Sequence, residues 1–188
     1  MLRKILLAAV AIVVLFLGFV ATRPSTYAVE RQTTVAAPPA VVYAELADFH
    51  RWEAWSPWAK LDPNVKNTYE GQPGAVGSKQ EWSGNKDVGR GRMTVKDARP
   101  GERLGIDLEF IEPFASRADT DFVLSPDGAG TRVSWKMAGT MGFMEKAFGV
   151  FMNMDAMIGK DFEKGLAQLK AVAEKEASRP APVPAAAP

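Results

Sequence analysis

Apolar and polar residues alternate along most of the chain between residues 27 and 137, which predicts a sheet with one apolar face. The first run, Tyr27–Val35, places Tyr, Val, Thr and Val at positions 27, 29, 33 and 35 before two prolines end it. Six further runs are bounded by turn residues and span 65–70, 78–83, 91–98, 104–110, 118–124 and 133–137. Such short spacing predicts an antiparallel meander, which needs a cover on one side only.

Helical spacing appears in two parts of the chain. Pro39–Ala47 begins with a residue that suits a first helical turn, and a tryptophan-rich segment at 49–58 follows as a second short helix and loop. Near the C-terminus, apolar residues form one stripe within Met144–Ala177, which predicts a long helix across the sheet. We therefore expect an α+β fold of order β-α-α-β6-α, a curved antiparallel sheet around a long C-terminal helix.

The two ends of the chain do not follow this pattern. Ile5–Ala21 is an uncharged run of 17 residues, roughly 26 Å as a helix and close to the ~30 Å hydrocarbon core of a bilayer. Its length favours an uncleaved single-pass anchor over a cleaved signal peptide, whose apolar part is ~7–15 residues. We expect an anchor at 1–24, a domain at 25–177 and a disordered Pro/Ala tail at 178–188.

The charges beside the apolar run predict its orientation. Arg3 and Lys4 precede it, and basic residues favour the cytoplasmic side. The sequence thus predicts an inner-membrane protein with a cytoplasmic N-terminus and a domain on the periplasmic or outer side. The alternative is a protein secreted after signal cleavage.

Composition narrows the chemistry. The chain has 23 basic and 22 acidic side chains, a net charge of +1, so a basic field for nucleic acid is not expected. It has no cysteine and one histidine, His50, which excludes disulfides, thiol nucleophiles and multi-histidine metal sites. His50 has no recognisable partner in the sequence. We expect no cofactor and no metal, which leaves carboxylate chemistry or binding without chemistry.

Several motifs resemble the START-like superfamily (SRPBCC), also called the polyketide cyclase/dehydrase and lipid-transport family, and in particular its bacterial membrane-anchored members. The matching stretches lie in 27–43, in Trp52-x-x-Trp-Ser-Pro-Trp58, in 69–85, in Gly89-x-Gly91-x-Met93 and in 154–165. The resemblance implies a helix-grip fold. It implies no single activity, because the superfamily includes lipid carriers, hormone receptors, aromatic cyclases and chaperone-binding modules without a shared catalytic set.

A curved sheet around a long helix leaves a cavity, and apolar residues that face it would line a pocket for a lipid-like or polyketide-like molecule. Ordinary core packing is the alternative interpretation of the same residues. The predicted ligand-binding residues are Trp82, Met93, Leu108, Phe110, Phe122, Trp135, Met144, Phe148, Phe151, Ile158 and Phe162. We expect a membrane-anchored domain that binds or transports a small hydrophobic ligand; a polyketide cyclase/dehydratase-type enzyme and a ligand-free interaction module for a membrane partner are the alternatives.

Asp155 is the candidate for catalysis, since it lies near the middle of the apolar stripe. Burial without a partner would raise its pKa and suit a general acid or a contact to a polar ligand head. Alternatively, the helix begins here, with Asn153 or Asp155 as its N-cap and 142–152 as a separate loop or short helix. A third interpretation is a buried carboxylate that makes a structural hydrogen bond. Four other carboxylates should lie on the solvated outer face, paired with basic residues of the fourth and seventh strands: Asp107, Glu109, Asp119 and Asp121.

Overall fold

The computed structural model describes residues 1–151 and 153–179, and its centre is one seven-stranded antiparallel sheet. The strand order is β1-β7-β6-β5-β4-β3-β2, so the meander returns to pair its last strand with its first. This confirms the predicted fold class. The strands are β1 (Thr26–Val35), β2 (Lys66–Glu70), β3 (Lys79–Ser83), β4 (Arg90–Arg99), β5 (Arg103–Glu112), β6 (Ser116–Asp127) and β7 (Gly130–Thr140).

The described residues also form five α-helices, and a 3-10 turn at Phe49–Arg51 joins the second helix to the third. The long helix predicted within Met144–Ala177 is two helices, and the alternative with a later start is the correct one. Asn153 caps the second of them, because its side-chain oxygen accepts a hydrogen bond from the backbone N–H of Ala156 at 3.0 Å. The helices are α1 (Leu2–Thr22), α2 (Pro39–Ala47), α3 (Trp52–Trp55), α4 (Phe143–Gly149) and α5 (Met154–Ala177).

An aromatic cluster fills the space between the inner face of the sheet and helices α2, α3 and α5. The rings of Trp135 and Phe162 are stacked, with centroids 4.0 Å apart and planes 9° apart. Trp55 meets Trp135 edge-on at 5.8 Å and Phe122 at 6.1 Å. All four side chains are almost fully buried, so they form the core that holds α5 to the sheet.

Two glycines allow α5 to lie close to the sheet. A Cβ at Gly165 would lie 2.8 Å from Cζ3 of Trp135, and a Cβ at Gly159 would lie 2.0 Å from Nη2 of Arg31. Arg31 crosses the helix at Gly159 and binds one carboxylate on each side. Its Nη2 lies 3.0 Å from Oδ2 of Asp155, and its Nε lies 2.8 Å from Oε1 of Glu163.

Helix α1 is long and apolar enough to cross a membrane, a test that a signal sequence also passes. Its C-terminal part contacts α4 and the residues that follow. The ring of Phe16 stacks on that of Phe151, with centroids 5.9 Å apart. Nζ of Lys146 donates to the carbonyl oxygens of Ala21 and Arg23, at 3.4 Å and 3.3 Å. The predicted disordered tail lies outside the described residues from residue 180 onward.

Candidate functional site

The strand register divides the loops between two ends of the sheet. Thr26 at the start of β1 pairs with Thr140 at the end of β7, and the same end of the sheet contains the start of β6, the end of β5 and the β3–β4 turn. We call this end of the sheet the anchor end, because α1 leads directly into β1 there. The β2–β3, β4–β5 and β6–β7 turns lie at the opposite end.

Apolar side chains on the inner face of the sheet are only half-buried towards the anchor end. Helix α5 packs mainly against β1, α2 and α3. We call the half-buried apolar surface of β3, β4 and β5 the open groove. It is formed by the half-buried side chains of Trp82, Met93, Leu108 and Phe110. In the strand register Trp82 and Phe110 lie on either side of Gly91, and Met93 is opposite Leu108.

Gly91 makes room for the aromatic wall of the open groove. A Cβ at this position would lie 2.2 Å from Cζ2 of Trp82, so the indole passes over the glycine. The indole meets the ring of Phe110 edge-on, with centroids 6.0 Å apart. Its Nε1 donates to the carbonyl oxygen of Val88 at 3.3 Å, which holds the ring in this orientation.

Polar atoms without a hydrogen-bond partner among the described residues border the open groove on β2 and β3. They are the hydroxyl of Tyr69, Oγ of Ser78 and Oε1 of Gln80. Gln80 lies between Tyr69 and Met93 in the strand register, so this group adjoins the apolar surface directly. An unpaired buried polar atom costs about 1–3 kcal/mol. Such atoms are therefore candidates for contact with water or a ligand.

The surroundings of Tyr69 keep its hydroxyl protonated. Burial raises the pKa of Tyr69, and the nearby carboxylates of Glu53 and Asp48 raise it further. The ring of His50 stacks on Tyr69 with centroids 3.8 Å apart, and its Nδ1 lies 2.9 Å from Oδ1 of Asp48, a partner that the sequence did not reveal. A cavity of about 10 Å³ beside Tyr69 and Ser78 has room for about one water molecule.

The cavity that we expected between the sheet and the long helix is filled by the protein's own aromatic side chains. A pocket of about 360 Å³ lies on the outer face instead, among Glu30, Gln32, Val123, Ser125, Arg132 and Ser134. The predicted ligand-binding residues divide into groups. Trp82, Met93, Leu108 and Phe110 form the open groove, Ile158 is half-buried on α5, Phe122, Trp135 and Phe162 belong to the aromatic core, and Met144, Phe148 and Phe151 are exposed.

Asp155 does not meet the condition that we set for a general acid. Its side chain is 57% exposed and ion-paired with Arg31. The Arg31 guanidinium lowers the pKa of Asp155, so the expected increase in pKa is wrong. At neutral pH Asp155 is a surface carboxylate that attaches the first turn of α5 to β1.

The strand carboxylates lie on the outer face, as expected, and most of them are charge-paired. Their basic partners come from β4, as predicted, and from β5 and β6, whereas the predicted pairing with β7 is wrong. This arrangement accounts for three of the four carboxylates as surface charges on the face of the sheet opposite the open groove. The pairs are Arg92–Glu109, Arg117–Glu109, Lys96–Asp119 and Arg103–Asp121.

Comparison with known proteins adds a family match and several similar folds. Residues 26–174 match the family described as polyketide cyclase / dehydrase and lipid transport. Protein CV1439 from Chromobacterium violaceum is 20% identical, with a TM-score of 0.56 over 81% of this chain and 99% of that one. The Aha1 dimer from Colwellia psychrerythraea is 16% identical, with a TM-score of 0.57 over 79% and 96%.

A third similar structure is the di-domain ARO/CYC StfQ from the steffimycin biosynthetic pathway. It is 15% identical, with a TM-score of 0.61 over 82% of this chain and 52% of that one. At these identities the structural similarity shows the fold alone. None of the curated proteins matches the sequence.

Proposed function

Because the chain belongs to the polyketide cyclase/dehydrase and lipid transport family, we propose that it binds a small hydrophobic molecule, lipid-like or polyketide-like, in the open groove. The observation that carries this proposal is the apolar surface of Trp82, Met93, Leu108 and Phe110, which is only half-buried although it faces inwards. A guest that covers this surface gains roughly 25 cal/mol for each Å² of apolar area removed from water.

The unpaired polar atoms beside the open groove favour a ligand with one uncharged polar group. Oε1 of Gln80 accepts hydrogen bonds, and the hydroxyls of Tyr69 and Ser78 both donate and accept them. The inner-face positions of β3, β4 and β5 carry no charged side chain in this part of the sheet. A hydroxyl, carbonyl or amide on an apolar body therefore fits this border better than a charged head, whose burial would lack a counter-charge.

Binding without catalysis is the function that this arrangement favours. The carboxylates considered for acid–base chemistry lie outside the open groove, on the outer face of the sheet or on the exposed first turn of α5. General acid–base catalysis requires the proton donor or acceptor within hydrogen-bond reach of the reacting group. We therefore propose a carrier or receptor for a hydrophobic molecule.

Helix α1 supports the attachment of this carrier to a membrane. Its 21 residues extend about 31 Å, enough to cross the ~30 Å hydrocarbon core. Arg3 and Lys4 at its start favour a cytoplasmic N-terminus and a domain on the opposite side of the membrane. We propose that α1 stays attached as a single-pass anchor.

Native mass spectrometry of the full chain, purified from its host in a mild detergent, tests the proposed ligand. We expect a retained small molecule on the unmodified protein and its loss from Leu108→Gln, which adds an amide to the floor of the open groove. Val123→Gln is the matched control, because Val123 is a half-exposed strand residue on the outer face. Circular dichroism establishes that both variants are folded.

Each outcome of this experiment has a distinct meaning for the open groove. A molecule that is retained equally by Leu108→Gln and Val123→Gln would show binding elsewhere on the protein. An unmodified protein without any bound molecule, purified from the membrane of its host, would contradict the carrier function. Carbonate extraction of host membranes tests the anchor separately, since a chain released by alkaline carbonate is not membrane-spanning.

A further inference from the structure

Large exposed apolar side chains gather at the anchor end of the domain. Phe114 in the β5–β6 turn is 80% exposed, Met144 and Phe148 on α4 are 65% and 60% exposed, and Phe151 beyond α4 is 78% exposed. We call these four residues the anchor-end patch. Exposed groups of apolar residues on soluble proteins mark contact sites for proteins, ligands or membranes.

The anchor-end patch is continuous with the C-terminal part of α1. Phe151 stacks on Phe16, which precedes the last residue of the helix, Thr22, by six positions, or about 9 Å along the axis. If Thr22 lies at the membrane boundary, Phe16 lies within the hydrocarbon layer. Phe151 then lies at the same depth, because the two rings are in contact.

The two charged side chains of α4 are engaged in contacts that leave its apolar residues free to face lipid. Glu145 accepts a hydrogen bond from the backbone N–H of Gly142 at 2.5 Å and so caps the helix. Lys146 donates to the carbonyl groups of Ala21 and of Arg23, the residue that follows α1. Both charged side chains therefore make hydrogen bonds to backbone groups at helix ends. Such contacts are compatible with the boundary between lipid and water.

We propose that the anchor-end patch inserts into the bilayer that α1 crosses, so that the open groove takes up its ligand directly from that membrane. The occupant of the patch is the acyl region of the lipid. This inference rests on the anchor part of the proposed function. The same end of the sheet contains both Phe114 and the groove residues Trp82 and Phe110, so insertion brings the opening of the groove to the membrane surface.

Single-cysteine labelling tests the insertion in the full chain, which contains no cysteine of its own. Four variants are labelled with bimane in phosphatidylcholine vesicles that include brominated acyl chains: Phe148→Cys, Phe151→Cys, Val10→Cys and Val76→Cys. Val10 lies in the middle of α1 and reports the anchor. Val76 is the matched control, because it is 65% exposed but lies in the β2–β3 turn at the opposite end.

We expect the labels at positions 10, 148 and 151 to lose most of their fluorescence to the brominated chains, and the label at position 76 to keep it. Quenching at position 10 without quenching at 148 and 151 would overturn the insertion and leave the anchor intact. Quenching at none of the three positions would overturn both. Labels at 148 and 151 with blue-shifted emission but no quenching would overturn the proposal in favour of a second copy or another protein that covers the patch.

Discussion

Replacing Gly165 by alanine adds one methyl group where α5 comes closest to the aromatic core. The new Cβ would lie 2.8 Å from Cζ3 of Trp135 and 3.1 Å from Cδ of Pro57. Carbon atoms in favourable contact are about 3.5–4.0 Å apart, so the methyl group overlaps the indole by about 0.7 Å. Trp135 has little freedom to move, because its ring is stacked on Phe162 and meets Trp55 edge-on.

Two opposing effects determine the sign of this change. Alanine is more favourable than glycine in a helix interior by about 1 kcal/mol. Overpacking a filled core costs typically 1–3 kcal/mol. We expect the second effect to exceed the first, with a net destabilisation of up to roughly 2 kcal/mol. For a chain of this size, each kcal/mol lowers the melting temperature by about 2–4 °C.

The assay is thermal unfolding of the full chain in a mild detergent, followed by near-ultraviolet circular dichroism, which reports the packing of the tryptophans. Gly149→Ala is the matched control. Gly149 ends α4, and a Cβ there would meet no atom within 4 Å. We expect this control to melt at the same temperature as the unmodified protein or slightly higher, because it gains helix propensity without overlap.

An increase in melting temperature for Gly165→Ala would refute the reasoning. It would show that the core beside Trp135 has room for a further methyl group, and hence that the aromatic side chains do not fill the space between α5 and the sheet.

Three further predictions follow from named contacts. Phe162→Ala removes a buried ring that stacks on Trp135 and should cost about 3–5 kcal/mol, measured by urea unfolding. Thr131→Val removes the hydroxyl that donates to the buried carbonyl oxygen of Ala37 at 2.7 Å and should cost about 1–3 kcal/mol in the same assay. Asp155→Asn should reduce acid sensitivity: Arg31 lowers the pKa of Asp155, so its contribution is present above the unfolded pKa of about 3.9 and is lost as pH falls through the folded value.

Each of these has a control and an outcome that would contradict it. Phe151→Ala should leave stability in detergent almost unchanged, and equal losses at positions 151 and 162 would contradict the assigned core. Thr33→Val is the control for Thr131→Val, because Thr33 is only half-buried, and an unchanged Thr131→Val would mean that the bond to Ala37 contributes nothing. Asp155→Asn is tested by melting temperatures from pH 7 to pH 2. The difference in melting temperature between the variant and the unmodified protein should shrink as pH falls, and a difference that grows would contradict the prediction.

The sheet was predictable because alternation is a local signal. All seven strands were expected, and their bounds differ from the structure by a few residues at most. The sequence predicted one long helix and offered the division into α4 and α5 only as an alternative, because the apolar stripe continues through the break between them. The capping residue Asn153 was the local signal that favoured the correct interpretation.

All four apolar residues of the open groove were among the predicted ligand-binding residues, but the sequence did not separate them from the buried core, because buried and half-buried positions look the same in the sequence. Ile106 and Leu108 continue one alternating pattern on β5, yet Ile106 is fully buried and Leu108 only half-buried. Helix α2 contacts β5, so the difference depends on how far the helices extend over this strand. No short sequence pattern reveals such long-range packing. Gln80 was missed because it lies in a run of polar residues.

The pairing of the first strand with the last has a consequence for how the protein is made. Thr26 at the start of β1 is hydrogen-bonded in register with Thr140, and α5, which packs on β1, is later still in the chain. During synthesis β1 is therefore the first part of the domain to emerge and among the last to find its partners. The backbone N–H and C=O groups along its edge therefore stay unpaired for most of translation, and such strand edges are where incompletely folded chains aggregate.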